Sequence, residues 1–139
     1  KHDIYTRLNE INKNTDDLNN LNYYEYQSNM EYYDKYYIID SANNALITKL
    51  AKDEVPKFKQ LILWVIETVN PLYLIDLTRA EIDNKFMIEI IHALKKRNIN
   101  QKLYGPELLY FESNPITDTS MDELVSLIHS NPPDLTDIK

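Results

Sequence analysis

Two stretches of this chain carry the same spaced set of apolar residues, and that repetition restricts the fold more than any other feature. Leu72, Ile75, Leu77, Ala80 and Ile82 occupy the slots of the pattern L-x-x-L-x-L-x-x-N-x-I, and Pro106, Leu109, Phe111, Asn114 and Ile116 occupy them again. Leu135 and Ile138 begin a third unit, so the steps are 34 residues from Leu72 to Pro106 and 29 from Pro106 to Leu135. Each unit opens on a short apolar run, Leu72 to Leu77 or Leu108 to Phe111, which reads as a strand. A turn follows, and then a stretch of helical period. Phe86, Met87, Ile90, Ile91 and Leu94 form one stripe between about Asn84 and Arg97. Met121, Leu124, Val125 and Ile128 form another between Ser120 and His129 and are expected to face inward. One strand and one helix cannot bury their apolar faces alone, so neighbouring units must stack and share a core.

A fainter unit precedes these, with Tyr36, Ile39, Asn44 and Leu46 in register but Ser41 in an apolar slot. Its helix runs from Val55 to Val69, with Pro56 at a permitted first-turn position and Phe58, Leu61, Ile62, Val65 and Ile66 on one side. Asn70 and Pro71 stop it. The Asn slot has a mechanical role, because a carboxamide can satisfy main-chain carbonyls where the chain bends. Asn114 suits that role. Ala80 cannot fill it, so its turn must find other partners.

The repeat lengths lie near those of leucine-rich repeats. The expected architecture is α/β: a short leucine-rich-repeat solenoid with parallel strands and helices, capped by N-terminal helices. The predicted division is a helical cap or partner-binding segment over residues 1–35 and a repeat domain over 36–139. Ile4, Leu8, Ile11 and Leu18 give the first segment a narrow stripe of helical period. Residues 23–37 hold seven of the eleven tyrosines, among which Tyr26, Tyr33 and Tyr37 fall with Met30 on one face of an expected helix. The chain opens on Lys1 without a Met, which suggests an excerpt of a longer protein.

The stretch Leu109-Tyr-Phe-Glu-Ser-Asn-Pro-Ile-Thr117, with the helix through Leu124, Leu127 and Asn131, resembles a unit of the tropomodulin and leiomodin leucine-rich domain, where a strand running into E-S-N-x-I-T is typical. Glu67-Thr68 before the preceding strand and Thr78-Arg79 after it also resemble that family, as does the helix after Val55-Pro56. The likeness covers about residues 36–139, and its specific part is some ten residues long. The insertion from Ile99 to Gly105 departs from the family pattern, and residues 1–35 do not match the family's actin- and tropomyosin-binding segments. The resemblance implies an actin-associated cytoplasmic protein of the pointed-end capping or nucleating kind, with the repeat domain as one actin-contacting surface.

Several chemistries are disfavoured by what the chain lacks. There is no Cys, which removes disulfides, thiolate metal sites and a thiol nucleophile. Gly105 is the only glycine, whereas phosphate-cradling loops need several. His2, His92 and His129 stand far apart, with no H-x-x-x-H spacing, and no G-x-S-x-G elbow exists. The expectation is no enzyme, no cofactor and no metal. With 15 Lys and Arg against 22 Asp and Glu the formal charge is −7, which disfavours binding to a phosphate backbone. The basic cluster Lys95, Lys96, Arg97 and Lys102 sits at an expected helix end, where cations complement the dipole. Asp122-Glu123 lies near a helix start for the converse reason. The longest apolar run, Leu61 to Ile66, is far short of the roughly 20 residues that span a bilayer, so no membrane insertion is expected.

In a solenoid, alternate strand positions face the open side of the sheet. These are Tyr73, Leu74 or Asp76, Thr78, Tyr110, Glu112 and Asp137, a mixed acidic and aromatic surface suited to protein recognition. The leading expectation is therefore a non-enzymatic protein-interaction scaffold. A second reading takes Leu74-Ile-Asp-Leu77 and its following helix as resembling anti-sigma-factor antagonists, regulatory docking domains that need four or more strands in one sheet. A third is a helical assembly subunit whose tyrosine and Ile-Leu stripes bind sister chains.

Overall fold

The computed structural model describes residues 22–27, 35–40, 52, 55–100, 102–130 and 132–139. Five strands, β1 (Asn22–Gln27), β2 (Lys35–Asp40), β3 (Leu72–Asp76), β4 (Leu108–Tyr110) and β5 (Asp137–Ile138), form one sheet in chain order. β1 pairs antiparallel with β2, and β2 to β5 run parallel. Parallel neighbours require a crossover. Helices α1 (Val55–Thr68), α2 (Asn84–Ile99) and α3 (Asp118–His129) occupy the three connections, α1 packing on α2 and α2 on α3. The described residues are thus α/β, with four parallel strands and three helices.

The apolar stripes of α1 and α2 behave as their spacing demands. Phe58, Leu61, Ile62, Val65 and Ile66 of α1 are buried, as are Phe86, Met87, Ile90, Ile91 and Leu94 of α2. The Phe58 and Phe86 rings meet edge to face at 6.5 Å. These side chains form one cluster with Ile39, Leu72, Ile75, Leu77, Leu109 and Phe111 from the sheet, so successive units share a single apolar interior. α2 starts where Asp83 caps it, its Oδ1 accepting from the Phe86 N–H at 2.9 Å.

Main-chain pairing continues past the ends of the strands. The Leu72 N–H donates to the Tyr104 carbonyl at 2.9 Å, that of Leu77 to Tyr110 at 2.8 Å and that of Arg79 to Glu112 at 3.0 Å. Gly105 is required where this ladder begins. Its φ is +89°, and a Cβ there would lie 1.7 Å from the Leu72 carbonyl oxygen. The loops leading into the strands are tied in the same direction, with Asn70 Oδ1 accepting from the Tyr104 N–H at 2.7 Å and Asp134 Oδ2 from the Gly105 N–H at 2.8 Å.

Asn114 resolves the turn that Ala80 leaves open. Its Nδ2 donates to the Phe111 carbonyl of its own unit and the Leu77 carbonyl of the preceding one, both at 2.8 Å, while its Oδ1 accepts from the Ile82 N–H at 2.9 Å. One carboxamide therefore serves the turns of two units, and Ala80, fully buried, fills the core below. The turns are sharp enough that Arg79, Glu81 and Ser113 take positive φ values of 55°, 64° and 60°. Farther on, Asn84 links two helix starts, accepting from the Thr117 N–H at 2.9 Å and from the Ser120 hydroxyl at 2.7 Å.

Four expectations are corrected. Residues 22–27 form a strand rather than part of a helix, and β2 begins at Lys35, so the boundary at 35 runs through one continuous sheet. Tyr26 and Tyr37 stand on paired strands instead of one helical face, Tyr26 opposite Tyr36 and Glu25 opposite Tyr37. Tyrosine suits a pleated, half-buried surface, and pairing with a neighbouring strand outweighs the helical spacing. The Ile4-to-Leu18 stripe, together with Met30, Tyr33, Asn44 and Leu46, lies outside the described residues.

In the basic cluster, Arg97 is buried, and its Nε, Nη1 and Nη2 donate to the carbonyls of Gly105, Ile66 and Tyr104 at 2.8, 2.9 and 2.6 Å. It stitches the end of α1 to the loop before β4 instead of simply complementing the dipole of its own helix. Lys95 reaches sideways to Ser126 at 2.8 Å and Glu123 at 3.5 Å, so Glu123 faces α2. Finally, the α3 stripe does not all point inward. Met121, Val125 and Ile128 are 42%, 46% and 47% exposed, while Ser120 and Leu127 are buried.

Candidate functional site

Ile39, Ile75 and Leu109, which the register sets side by side on β2 to β4, are buried in the same core cluster as the helices. Strand side chains alternate between faces, so the residues on either side of these positions belong to the opposite face. The register brings them into rows. Ile38, Leu74, Leu108 and Asp137 stand side by side on β2 to β5, and Asp40, Asp76 and Tyr110 form the next row. The same offset carries Thr78 alongside Glu112, and Lys139 alongside Tyr110. Ile38, Asp40, Leu74, Asp76, Leu108 and Tyr110 are all half-buried, and Glu112, Asp137 and Lys139 are exposed.

Asp76 Oδ1 accepts from the Thr78 N–H at 3.1 Å, which fixes its carboxylate at the end of the strand. The Lys139 Nζ lies 5.1 Å from the centre of the Tyr110 ring and 4.0 Å from Asp137 Oδ2. Neighbouring strands are about 4.8 Å apart, so Asp40 and Asp76 place two carboxylates side by side. With Glu112 and Asp137 they place four carboxylates on the described part of the face, with Lys139 beside Asp137 and Tyr110. The described residues form a broad polar and aliphatic strip.

The structure brings together Asp76, Thr78, Tyr110, Glu112 and Asp137, as their sequence positions suggested, and of the pair Leu74 or Asp76 both are present. At Tyr73 the pairing is irregular: the register steps from Tyr37 opposite Leu72 to Ile38 opposite Leu74, so Tyr73 is the extra residue of a bulge, and it is half-buried. Its carbonyl accepts from the Glu107 N–H at 2.9 Å. Sequence reasoning passed over Ile38, Asp40, Leu108 and Lys139. The signal for the first two was the alignment of Ile39 with Ile75, since its two neighbours must then join the same face.

Among the described residues, no group of three or more His, Cys, Asp or Glu is placed to hold a metal ion. No helix among them is long and apolar enough to cross a membrane. His92 Nε2 and Glu123 Oε2 approach to 3.5 Å on the outer surface of α2 and α3, away from the sheet face. Comparison with protein-family models, with curated proteins and with solved structures returns no match to this chain.

Proposed function

We propose that this chain is a non-enzymatic protein-recognition module, built as a short leucine-rich-repeat solenoid, whose open sheet face docks a protein partner. The observation that carries this reading is the in-register face itself: an aliphatic row, Ile38, Leu74 and Leu108, beside the row Asp40, Asp76 and Tyr110. Aromatic and aliphatic area with acidic groups around it suits a partner presenting apolar residues among basic ones. Support for the solenoid comes from the sequential strand order, the row of helices, and the carboxamide of Asn114 bridging two turns. The resemblance to tropomodulin and leiomodin makes actin the first partner to try, in a cytoplasmic setting.

Co-sedimentation with filamentous actin tests the specific form. The expected result is native chain in the pellet, with Tyr110→Ala combined with Glu112→Ala weakening recovery at least tenfold while circular dichroism is unchanged. A central aromatic contact is worth about 2 kcal/mol or more, which exceeds a tenfold change in affinity. Native chain left wholly in the supernatant removes actin as partner and reduces the reading to a general scaffold. Binding that survives the double substitution removes the open face. The five-stranded sheet does satisfy the strand number required of an anti-sigma-factor-antagonist-like regulatory domain. The unbroken chain order of the strands gives no reason to prefer that reading.

A further inference from the structure

On β2 to β4 the open face is ordered across the strands rather than along them. Each strand passes from an aliphatic residue to a polar one, Ile38 to Asp40 on β2, Leu74 to Asp76 on β3 and Leu108 to Tyr110 on β4. Residues of like kind stand side by side on neighbouring strands. A segment laid along the strands therefore meets an aliphatic residue and then a polar one. A segment laid across them meets three half-buried aliphatic side chains in a line.

The dimensions of that line select its occupant. Neighbouring strands stand about 4.8 Å apart, so the line from Ile38 through Leu74 to Leu108 is about 9.6 Å long. A helix rises about 1.5 Å per residue, and apolar residues at i, i+3 or i+4, and i+7 cover about 10.5 Å on one side. An extended segment with apolar residues at every second position spaces them about 6.8 Å apart, too far for neighbouring strands. A helix about 10–12 Å across, its axis along the aliphatic line, also overhangs the row of Asp40, Asp76 and Tyr110 about 6.6 Å farther along the strands.

Charge decides where the helix comes from. The Thr78 N–H holds the Asp76 carboxylate in place before anything docks, and Glu112 follows Tyr110 two positions along. The segments of this chain outside the described residues have no basic excess to set against these carboxylates. Residues 1–21 carry four Asp or Glu against three Lys or Arg, and residues 41–54 carry two against two. The complementary charge therefore comes from another protein.

We infer that the face takes an amphipathic helix of a partner protein, laid across β2 to β4. Its apolar residues at i, i+3 or i+4, and i+7 sit on Ile38, Leu74 and Leu108, and Lys or Arg on its flank lie over the row that contains Asp76. This rests on the reading of the chain as a recognition module, and adds the form and direction of the docked segment.

Selection of peptides from a randomised displayed library on the immobilised full chain tests this. Enriched peptides should carry apolar residues at i, i+3 or i+4, and i+7 with Lys or Arg beside them, and should gain helical circular dichroism on binding. Asp76→Lys should weaken such a peptide at least tenfold, and exchanging the peptide's basic residues for Glu should restore its binding to that variant. Asp76→Asn keeps an acceptor for the Thr78 N–H and hence the fold, and should weaken the basic peptide at least threefold. Enriched peptides whose apolar residues alternate, but which Tyr110→Ala with Glu112→Ala weakens, overturn the helix and leave the face as a docking surface. Peptides that bind the double variant and Asp76→Lys as tightly as the native chain remove the face as well. An absence of enrichment overturns the inference and leaves the face to be judged by actin co-sedimentation.

Discussion

Removing the Asn114 carboxamide tests whether the units are coupled by the bonds that cross between them. Asn114→Ala deletes three short hydrogen bonds of 2.8, 2.8 and 2.9 Å and a long one of 3.5 Å to the Glu112 carbonyl, leaving the Leu77 and Phe111 carbonyls and the Ile82 N–H without that partner. Each such loss at a half-buried site costs about 1 kcal/mol, near the middle of the range for a net hydrogen bond. The sum is about 3 kcal/mol, a substantial part of the roughly 5–15 kcal/mol that holds a domain together. With a urea dependence of about 2 kcal/mol per M, the unfolding midpoint should fall by about 1.5 M. Asn114→Asp sharpens the test. It keeps an acceptor for the Ile82 N–H but sets a carboxylate oxygen against two carbonyls, so its loss should equal or exceed that of Asn114→Ala. Midpoints for both variants within about 0.3 M of the native chain, equivalent to about 0.6 kcal/mol, would refute the reasoning.

Other substitutions separate positions that look alike in sequence. Gly105→Ala should cost more than about 3 kcal/mol or abolish folding, because the left-handed φ and the Leu72 carbonyl leave no space for a Cβ; soluble yield and thermal unfolding report it. Met87→Ala should cost about 2–5 kcal/mol and Met121→Ala under about 1 kcal/mol, since the first is sealed and the second 42% exposed. Arg97→Lys should be nearly as damaging as Arg97→Met by the same denaturation assay, because one ammonium cannot reproduce a fork reaching three carbonyls. Glu123→Gln should change stability by less than about 1 kcal/mol, its contacts with Lys95 and His92 being partly solvated.

The parts legible in sequence were those set by local periodicity. α1 and α2 stand out because an apolar residue recurs on one side at every turn, and Leu72, Ile75, Leu77, Ala80 and Ile82 are all sealed as their slots require. The need for a partner at the Ala80 turn was also legible, but not that Asn114 of the next unit meets it. Tyr26 and Tyr37 were misread because their spacing fits a helix, while the deciding interaction, the pairing of β1 with β2, is not local. Val125 and Ile128 were misread for a related reason. A stripe shows which side of a helix is apolar without showing whether anything lies against it. The open face was mostly visible from strand alternation, whereas the bulge at Tyr73 was not, because it depends on the pairing with β2.

The measurement that bears most directly on the account is a solution NMR determination of strand register. Nuclear Overhauser contacts across the sheet should join Leu74 to Leu108, Asp76 to Tyr110 and Leu108 to Asp137, setting the aliphatic and acidic rows side by side on one face. A register displaced by one residue, or a strand inserted between β3 and β4, would contradict the shared interior and the recognition face together.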